Sequence, residues 1–369
     1  MPRLLALEPY YGGSHKEWLD GLLERIDWDA DVLTLPARKW KWRMRGAAVT
    51  MADDVREMWS KGRRWDVIVA STFLNLAEFY GLARTAAAGI PSIVYFHENQ
   101  MVYPQRVERE WDLHFPLTNV TSALAATRCV FNSEFTRDTF ISGIRPLFET
   151  FPDHLPANVD GRVREKSLVL PPPLDDTEAA GYEPVRGDVC RVVWPHRWEH
   201  DKNPEEFFAA IAALAQEGLD FEVAVAGQVF DDRPEVFEHA ASVLGDRLVH
   251  FGEPRSREEY LRLLASSDVA VSTADNEFFG LAMMEAAYLG CYPVVPDRLV
   301  YPELYPAQMR FDSVEQLTAR LRSLIVDRPE PGAARPLAEK YTWSKMAPRY
   351  RDLLEQTLGE GRGDVSDGE

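Results

Sequence analysis

Two glutamates frame a segment whose residue types suit the binding of a sugar linked to a diphosphate. Glu277 and Glu285 flank Phe278–Leu281, which follows an apolar run ending near Thr273. If a helix begins within this segment, its first backbone N–H groups have no helical partners and lie at the positive helix end. Such a helix end suits a diphosphate, with Glu277 in reach of sugar hydroxyls and Glu285 in reach of a ribose. An ordinary acidic helix start is the alternative, and the spacing alone favours neither.

A second segment supplies two cations. Arg197 and Lys202 lie in the polar run 194–203, which also follows an apolar run, and Pro204 suits the first turn of a helix. Two cations near a helix start can neutralise a departing diphosphate without a metal ion. Two solvated charges are the alternative, but both segments share a strand–loop–helix setting, and this favours ligand binding.

Polar residues also follow three apolar runs in the first half of the chain. The segment Tyr10–His15 contains two adjacent glycines that let a ligand approach the backbone. In Phe96–Gln100, His97 can hydrogen-bond a transferred sugar or its acceptor, or be satisfied within its own loop. Asn132 and Ser133 end the next run, where Ser133 can also simply cap a helix.

The segment Arg38–Arg45 is basic and aromatic, with five cations and two tryptophans within eight residues. Cations bind phosphates and indoles stack on bases, so the segment is a candidate nucleic-acid contact that Lys61, Arg63 and Arg64 could extend. An equally good interpretation is a surface segment that packs its tryptophans against the first domain.

Short apolar runs alternate with amphipathic segments along the chain. Most of the runs are dense in Val, Ile, Leu and Ala without polar alternation, which is typical of parallel strands covered by helices on both faces. The predicted strands are residues 3–8, 66–71, 92–96, 128–132, 167–170, 191–195, 222–226, 247–251, 268–272 and 292–295.

The proline-rich, acidic stretch 171–188 separates five predicted strands on each side. The sequence therefore predicts an α/β protein with two Rossmann-like, doubly wound parallel-sheet domains facing a central cleft. These domains are expected at residues 1–175 and 186–340. Residues 341–358 form a last helix expected to pack back on the first domain, and the glycine-rich acidic tail 359–369 is expected to be disordered.

Composition excludes several classes of protein. With 41 basic and 59 acidic residues the formal charge is −18, so any polyanion must meet a local basic patch. Three distant cysteines indicate neither a disulfide framework nor a zinc cluster. No stretch approaches the roughly 20 apolar residues that span a bilayer. We expect a cytoplasmic protein without membrane contacts; the sequence indicates no oligomeric state.

As a set, these motifs resemble the retaining GT-B glycosyltransferases, and more closely the tRNA-queuosine α-mannosyltransferase family. The resemblance runs over most of the chain. Its matching stretches are Tyr11–Lys16, Leu33–Arg43, Phe96–Pro104, Phe131–Ser133, Pro152–His154 and Trp194–Lys202.

The resemblance implies transfer of mannose from GDP-mannose to the queuosine of a tRNA anticodon of the tRNA-Asp type, with the α configuration retained and no metal or other cofactor. The catalytic residues that it implies are His97, Arg197, Lys202 and Glu277. The donor-binding residues are Gly12, Gly13, Arg197, Lys202, Glu277, Phe278, Phe279, Gly280, Leu281 and Glu285. The residues implied to bind the acceptor tRNA are Ser14, His15, Arg38, Lys39, Trp40, Lys41, Trp42, Arg43, Glu98, Asn99, Gln100, Asn132 and Ser133.

Two alternatives stay open at this point. The same class of enzyme could act on a lipid or a small glycoside, with the basic tryptophan run as a packing or membrane-surface feature. A non-catalytic module that binds nucleotide sugar or RNA could also use this scaffold, since fold does not determine function.

Overall fold

The computed structural model describes residues 1–102, 112–230 and 232–363. Tyr103 and Pro104 of the 96–104 motif, and residues 364–369 of the acidic tail, lie outside these ranges. The chain forms two compact units. Met1–Pro172 and the chain from Met346 onward make the N-terminal unit, and Pro173–Lys345 makes the C-terminal unit.

The N-terminal unit contains a sheet of six parallel strands. Its strands are β1 Arg3–Tyr11, β2 Asp29–Pro36, β3 Val67–Ser71, β4 Ser92–Phe96, β5 Arg128–Phe131 and β6 Ser167–Val169. Its helices before the linker are α1 Gly13–Leu23, α2 Trp40–Ser60, α3 Leu76–Leu82, α4 Arg84–Ala87, α5 His114–Ala125, α6 Glu134–Glu149 and α7 Val159–Arg164. The strand order is β2-β1-β3-β4-β5-β6.

The C-terminal unit contains a second sheet of six parallel strands. Its strands are β7 Cys190–Trp194, β8 Phe221–Ala226, β9 Leu248–Gly252, β10 Val269–Val271, β11 Tyr292–Pro296 and β12 Arg310–Phe311. The remaining helices are α8 Asp176–Ala179, α9 Pro204–Gln216, α10 Val236–Leu244, α11 Arg257–Ala265, α12 Leu281–Tyr288, α13 Tyr301–Leu304, α14 Val314–Val326, α15 Arg335–Glu339 and α16 Trp343–Gly363. The strand order is β12-β11-β10-β7-β8-β9.

The inner strands are buried on both faces, as their unbroken apolar runs predict. Every residue of β3 and β4 is buried, and full burial of one Val, Ile or Phe side chain contributes roughly 1.5–3 kcal/mol. The edge strands β2 and β12 were not predicted. Exposed positions alternate with half-buried ones along β2, and β12 has only two residues, so neither carries the apolar signal of a buried strand.

The last helix, α16, packs its apolar face into the N-terminal unit. Tyr350, Leu353 and Leu354 are buried, and the Trp18 indole donates a hydrogen bond to the Tyr350 hydroxyl at 3.0 Å. The helix runs through Gly363, past the predicted end at residue 358. Within the described ranges, no helix combines the length and apolar character needed to cross a membrane.

Candidate functional site

Two loops of the C-terminal unit meet at the carboxyl ends of neighbouring strands. Strand β7 lies between β10 and β8, so the strand order reverses beside it, and this is where open α/β sheets bind ligands. The backbone N–H groups of Asp275 and Asn276 donate to the Asp201 carbonyl at 2.8 and 3.2 Å. The Thr273 hydroxyl donates to the Lys202 carbonyl at 2.9 Å. These bonds hold the loop after β7 against the loop after β10.

Lys202 is a buried cation at this junction, with 7% of its surface exposed. Its Nζ donates to the Asn276 carbonyl at 2.6 Å and lies 3.4 Å from Glu277 Oε2 and 3.5 Å from Asp201 Oδ2. A buried ammonium needs such partners, because an unpaired buried charge is very costly. The ammonium is thereby fixed beside Glu277, so residues of the two sequence motifs lie in contact.

Glu277 binds the backbone N–H groups that precede α12. Its Oε1 accepts from Phe278, Phe279 and Gly280 at 3.1, 3.5 and 3.0 Å. Gly280 has a φ of 83°, a left-handed conformation that favours glycine, and it turns the chain into α12. The amide groups predicted to face a diphosphate therefore already surround an anionic oxygen.

Arg197 and Glu285 face other partners. Arg197 is half exposed, and its guanidinium lies 2.9 Å from Glu199 Oε2. Glu285 accepts from both terminal nitrogens of Arg257, with Nη1 to Oε2 at 3.3 Å. The structure thus brings Lys202 and Glu277 together, while Arg197 and Glu285 are each engaged in a separate ion pair.

The sequence motifs did not include Arg298, which anchors the loop after β10. Its Nε donates to the Ala274 carbonyl at 3.1 Å, and its Nη2 donates to the Thr273 carbonyl at 2.8 Å and to Glu206 at 3.1 Å. Arg298 follows β11, the strand next to β10, so its position at a strand end was the available signal.

His196 begins the loop after β7 and is buried. Burial, reinforced by the charge of Lys202, lowers the pKa of His196 to about 3, so its imidazole is neutral. Its backbone lies so close to Gly227 that a Cβ there would be 1.8 Å from the His196 carbonyl oxygen. The start of this loop is therefore rigidly packed.

In the N-terminal unit, His15 lies between two carboxylates. Its Nδ1 is 3.1 Å from Glu8 Oε2, and its Nε2 is 3.3 Å from Glu98 Oε2. Burial alone would lower the pKa of His15, but the charges of Glu8 and Glu98 outweigh it and raise the pKa to about 10. Glu8 Oε1 accepts from the Ser71 hydroxyl and the Tyr10 N–H, both at 2.8 Å. The ring of His15 is therefore a fixed imidazolium.

His97 lies against this imidazolium, with the ring centroids 3.9 Å apart and the ring planes inclined by 31°. Burial, together with the charge of His15, lowers the pKa of His97 well below its usual range, so His97 is neutral. Its Nε2 is buried and has no hydrogen-bond partner among the described residues. A neutral imidazole can both donate and accept a hydrogen bond.

Glu8, His15 and His97 form the one group in the described part of the chain whose ligand atoms are close enough, within 4.8 Å, to hold a metal ion. Both ring nitrogens of His15 already face carboxylates, and Glu8 is held by two further donors. These pairings join Glu8, His15 and Glu98 in an ion-pair network.

Four residues of the expected acceptor set support the His97 loop and its neighbour. Asn99 Nδ2 donates to the Thr136 carbonyl at 3.1 Å, and Asn132 Nδ2 donates to the His97 carbonyl at 2.6 Å. Ser133 caps α6 by accepting from the Thr136 N–H at 3.0 Å. The backbone N–H of Gln100 donates to Asn119 at 3.1 Å. These contacts fix the loop that carries His97 and Glu98.

The glycine pair after β1 is required by packing and by backbone conformation. A Cβ on Gly12 would lie 2.5 Å from the Cβ of Ala37, and Gly13 has a φ of 51°. Ser14 is exposed in the first turn of α1. The turn thus places α1, and with it His15, directly against the end of β1.

The structure separates the two tryptophans of the basic segment. Trp40 packs on Phe115, with ring centroids 5.0 Å apart, whereas Trp42 is 64% exposed. Arg43 Nε donates to the Pro36 carbonyl at 3.2 Å. Trp40 is therefore packed inward, whereas Trp42 is open to solvent.

The chain matches two family models that together cover most of its length. Residues 3–174 match the N-terminal region of tRNA-queuosine alpha-mannosyltransferase, and residues 185–336 match the glycosyl transferases group 1. A tRNA-queuosine alpha-mannosyltransferase of Drosophila melanogaster is 38% identical over 375 residues, covering 97% of this chain and 98% of the relative.

Two further similarities are to part of a curated relative and to a solved structure. A GDP-mannose-dependent alpha-(1-6)-phosphatidylinositol dimannoside mannosyltransferase of Mycobacterium tuberculosis is 30% identical over 152 residues, or 40% of this chain and 39% of that protein. The sucrose-phosphate synthase of Thermosynechococcus elongatus superposes with a TM-score of 0.72 at 13% identity, over 98% of this chain and 100% of its own. The chain therefore has the GT-B fold and belongs to the tRNA-queuosine alpha-mannosyltransferase family of glycosyltransferases.

Proposed function

We propose that this enzyme transfers mannose from GDP-mannose to a cyclopentenediol hydroxyl of queuosine in a tRNA anticodon of the tRNA-Asp type, with the α configuration retained. The name of the Drosophila relative supports the acceptor and the sugar, and the name of the Mycobacterium relative supports the donor. One observation carries the proposal. Lys202 lies beside Glu277, and Glu277 accepts from the backbone N–H groups that precede α12, at the place between β7 and β10 where the strand order reverses.

In the proposed donor complex, a phosphate oxygen replaces Glu277 Oε1 at the N–H groups of Phe278 and Gly280. Lys202 then neutralises the departing diphosphate, and the released Glu277 carboxylate hydrogen-bonds mannose hydroxyls. Arg197 and Glu285 exchange their present ion pairs for the diphosphate and the ribose. The protein supplies charge and orientation, so no metal is needed at the leaving group.

Transfer then proceeds on one face of the sugar. The bond from the anomeric carbon to the phosphate oxygen breaks as the bond to the queuosine hydroxyl oxygen forms. The hydroxyl proton passes to the departing phosphate, and GDP leaves with it. We assign to the neutral His97 a hydrogen bond to a sugar or acceptor hydroxyl.

The deciding experiment is a transfer assay with nucleoside mass spectrometry. Purified enzyme is given GDP-mannose and either queuosine-bearing or queuosine-free tRNA, and the digested nucleosides are searched for queuosine carrying one added hexose. We expect the product only with queuosine-bearing tRNA, and most rapidly with tRNA-Asp. A panel with GDP-glucose and UDP-glucose tests the donor. Transfer to queuosine-free tRNA, or to lipid extracts alone, would overturn the proposal.

We also propose that the enzyme works in the cytoplasm, where its tRNA acceptor is found. Cell fractionation followed by the same transfer assay should place the activity in the cytosolic fraction. Activity confined to membranes would contradict this location.

A further inference from the structure

The start of α2 presents one uncovered aromatic ring beside three exposed cations. We define the α2 surface as Arg38, Lys39, Lys41 and Trp42, all of which are exposed. We propose that the α2 surface binds RNA, with Trp42 stacking on an unpaired nucleobase. The inference rests on the proposed function for the identity of the RNA, and it adds the surface that holds it.

Helical geometry explains why the two neighbouring tryptophans take different roles. Met44, Ala47, Met51 and Val55 recur at helical spacing and form the buried face of α2. Trp40 lies on that side and packs against Phe115, whereas Trp42 projects to the opposite side. Trp40 anchors the helix start, and Trp42 has no role in the core.

Gly46 gives the exposed indole a seat on the helix. It follows Trp42 by one turn, and a Cβ at position 46 would lie 3.0–3.3 Å from three atoms of the Trp42 ring. The ring therefore lies against the bare backbone at Gly46, which limits its motion, while 64% of the residue stays exposed. A ring held in this way loses little entropy when a base stacks on it.

The cations of the α2 surface have no acidic partner among the described residues. Lys41 lies 5.7 Å from the centre of the Trp40 ring, and neither Arg38 nor Lys39 faces a carboxylate. In a chain of formal charge −18, such a group of cations is a local site for a polyanion.

The second basic group, Lys61, Arg63 and Arg64, contacts residues outside the α2 surface. Lys61 pairs with Glu57, Arg63 lies 3.7 Å from Asp31, and Arg64 lies over the Trp59 ring at 4.3 Å. Internal partners reduce its attraction for a polyanion, so the RNA contact is confined to the α2 surface.

The burial of α2 favours RNA over a membrane. An amphipathic helix binds lipid through its apolar face, but the apolar face of α2 already lies in the core of the N-terminal unit. What remains outside is a single aromatic ring among cations, and base stacking with phosphate contacts requires just these groups.

The first test is RNA affinity of Trp42 variants. Binding of a fluorescein-labelled queuosine anticodon stem-loop is followed by anisotropy, and KM for tRNA by the transfer assay. Because one stacked base is worth about 1–3 kcal/mol, Trp42→Ala should raise Kd by about 5- to 150-fold. Trp42→Phe should restore most of the affinity. Unchanged Kd and KM in Trp42→Ala would overturn the proposal.

Gly46→Ala distinguishes an effect on the position of the Trp42 ring from an effect on the stability of the fold. The added methyl group displaces the indole, while alanine favours a helix interior by about 1 kcal/mol over glycine. We expect an unchanged or raised Tm together with several-fold weaker RNA binding. RNA binding by Gly46→Ala that is as tight as that of the wild type, or tighter, would contradict the role assigned to the Trp42 ring.

Charge variants test the binding of phosphates. Replacing Arg38, Lys39 and Lys41 by alanine should flatten the plot of log Kd against log salt by about 0.7 for each phosphate that the variant no longer neutralises. Arg56→Ala is the matched control, because Arg56 is an exposed cation on the same helix that pairs with Asp53, and it should leave the slope unchanged. An equal change in both variants would overturn the local assignment.

Two further measurements distinguish the possible failures. If RNA binding depends on Trp42 but no sugar reaches queuosine, the proposed function fails and the α2 surface stands. If transfer occurs and RNA affinity is the same in Trp42→Ala, the α2 surface fails alone. Vesicles of phosphatidylglycerol and phosphatidylcholine are tested as the alternative ligand. If Trp42→Ala abolishes binding to these vesicles but leaves RNA affinity unchanged, the α2 surface binds lipid and the RNA proposal is wrong.

Discussion

Replacing His15 by asparagine should change how the stability of the N-terminal unit depends on pH. Glu8 and Glu98 raise the pKa of His15 from 6.5 to about 10 against the opposing effect of burial. The folded state therefore holds a proton that the unfolded chain releases near its ordinary pKa. This stabilisation is fully present below pH 6.5 and is lost as the pH rises through about 10.

The magnitude follows from linkage. Each pH unit between the two pKa values is worth about 1.4 kcal/mol, so raising the pH from about 7 to about 9 costs up to ~3 kcal/mol through this single proton. His15→Asn removes this dependence but leaves the buried Glu8 and the half-buried Glu98 without their cation. The variant should therefore be less stable at neutral pH, by an amount that shrinks at alkaline pH.

Two measurements check the prediction. Urea unfolding of the wild type and His15→Asn at both pH values gives the difference in pH dependence, which cancels titrations common to both proteins. NMR of histidine-labelled protein follows the His15 ring directly, and the variant identifies its signal among eight histidines. Parallel pH dependence in the two proteins, or a His15 ring that is neutral at pH 7, would refute the argument.

Three further outcomes are expected. Lys202→Ala should lower kcat about 100-fold or more, because it removes the buried charge beside Glu277. Lys202→Arg should have an intermediate kcat. An unchanged kcat of Lys202→Ala at saturating donor would show that Lys202 takes no part in the reaction. Glu277→Ala should lower the free energy of unfolding by about 1 kcal/mol or more, as removal of a helix cap does. Glu277→Gln keeps an amide oxygen that can accept from the N–H groups of Phe278 and Gly280, so its Tm should be closer to that of the wild type. Glu277→Gln should nevertheless transfer sugar poorly. Treatment with EDTA should leave the transfer rate intact; loss of activity that Mn²⁺ or Zn²⁺ restores would instead assign a metal, with Glu8, His15 and His97 as its first candidate ligands.

Local sequence patterns predicted most of the sheet architecture. Ten apolar runs correspond to ten observed strands within a few residues, because most of these strands are covered by helices and such burial strongly favours apolar residues. β1 continues to Tyr11, beyond the predicted residue 8, and the edge strand β2 was missed since its alternation resembles a solvated segment. An edge strand does not need to be apolar on both faces, so its sequence lacks the apolar run by which the inner strands were predicted.

The candidate site was predictable where chemistry follows a strand end. Lys202 and Glu277 meet because their strands are neighbours, and topology supplies that adjacency. The partners of His15 were not predictable, since Glu98 is 83 residues away and no local spacing joins them. Arg257, the partner of Glu285, was missed for the same reason, with 28 residues between the two.

The return of α16 to the N-terminal unit has a practical consequence for cutting the protein into parts. An N-terminal fragment that stops at Pro172 would lack the helix that covers Trp18 and would expose the apolar surface against which Tyr350 and Leu354 pack. Aggregation of such a fragment is the expected result. A peptide spanning 346–363, added in trans or fused ahead of Met1, should restore solubility and make the N-terminal unit accessible to spectroscopy by itself.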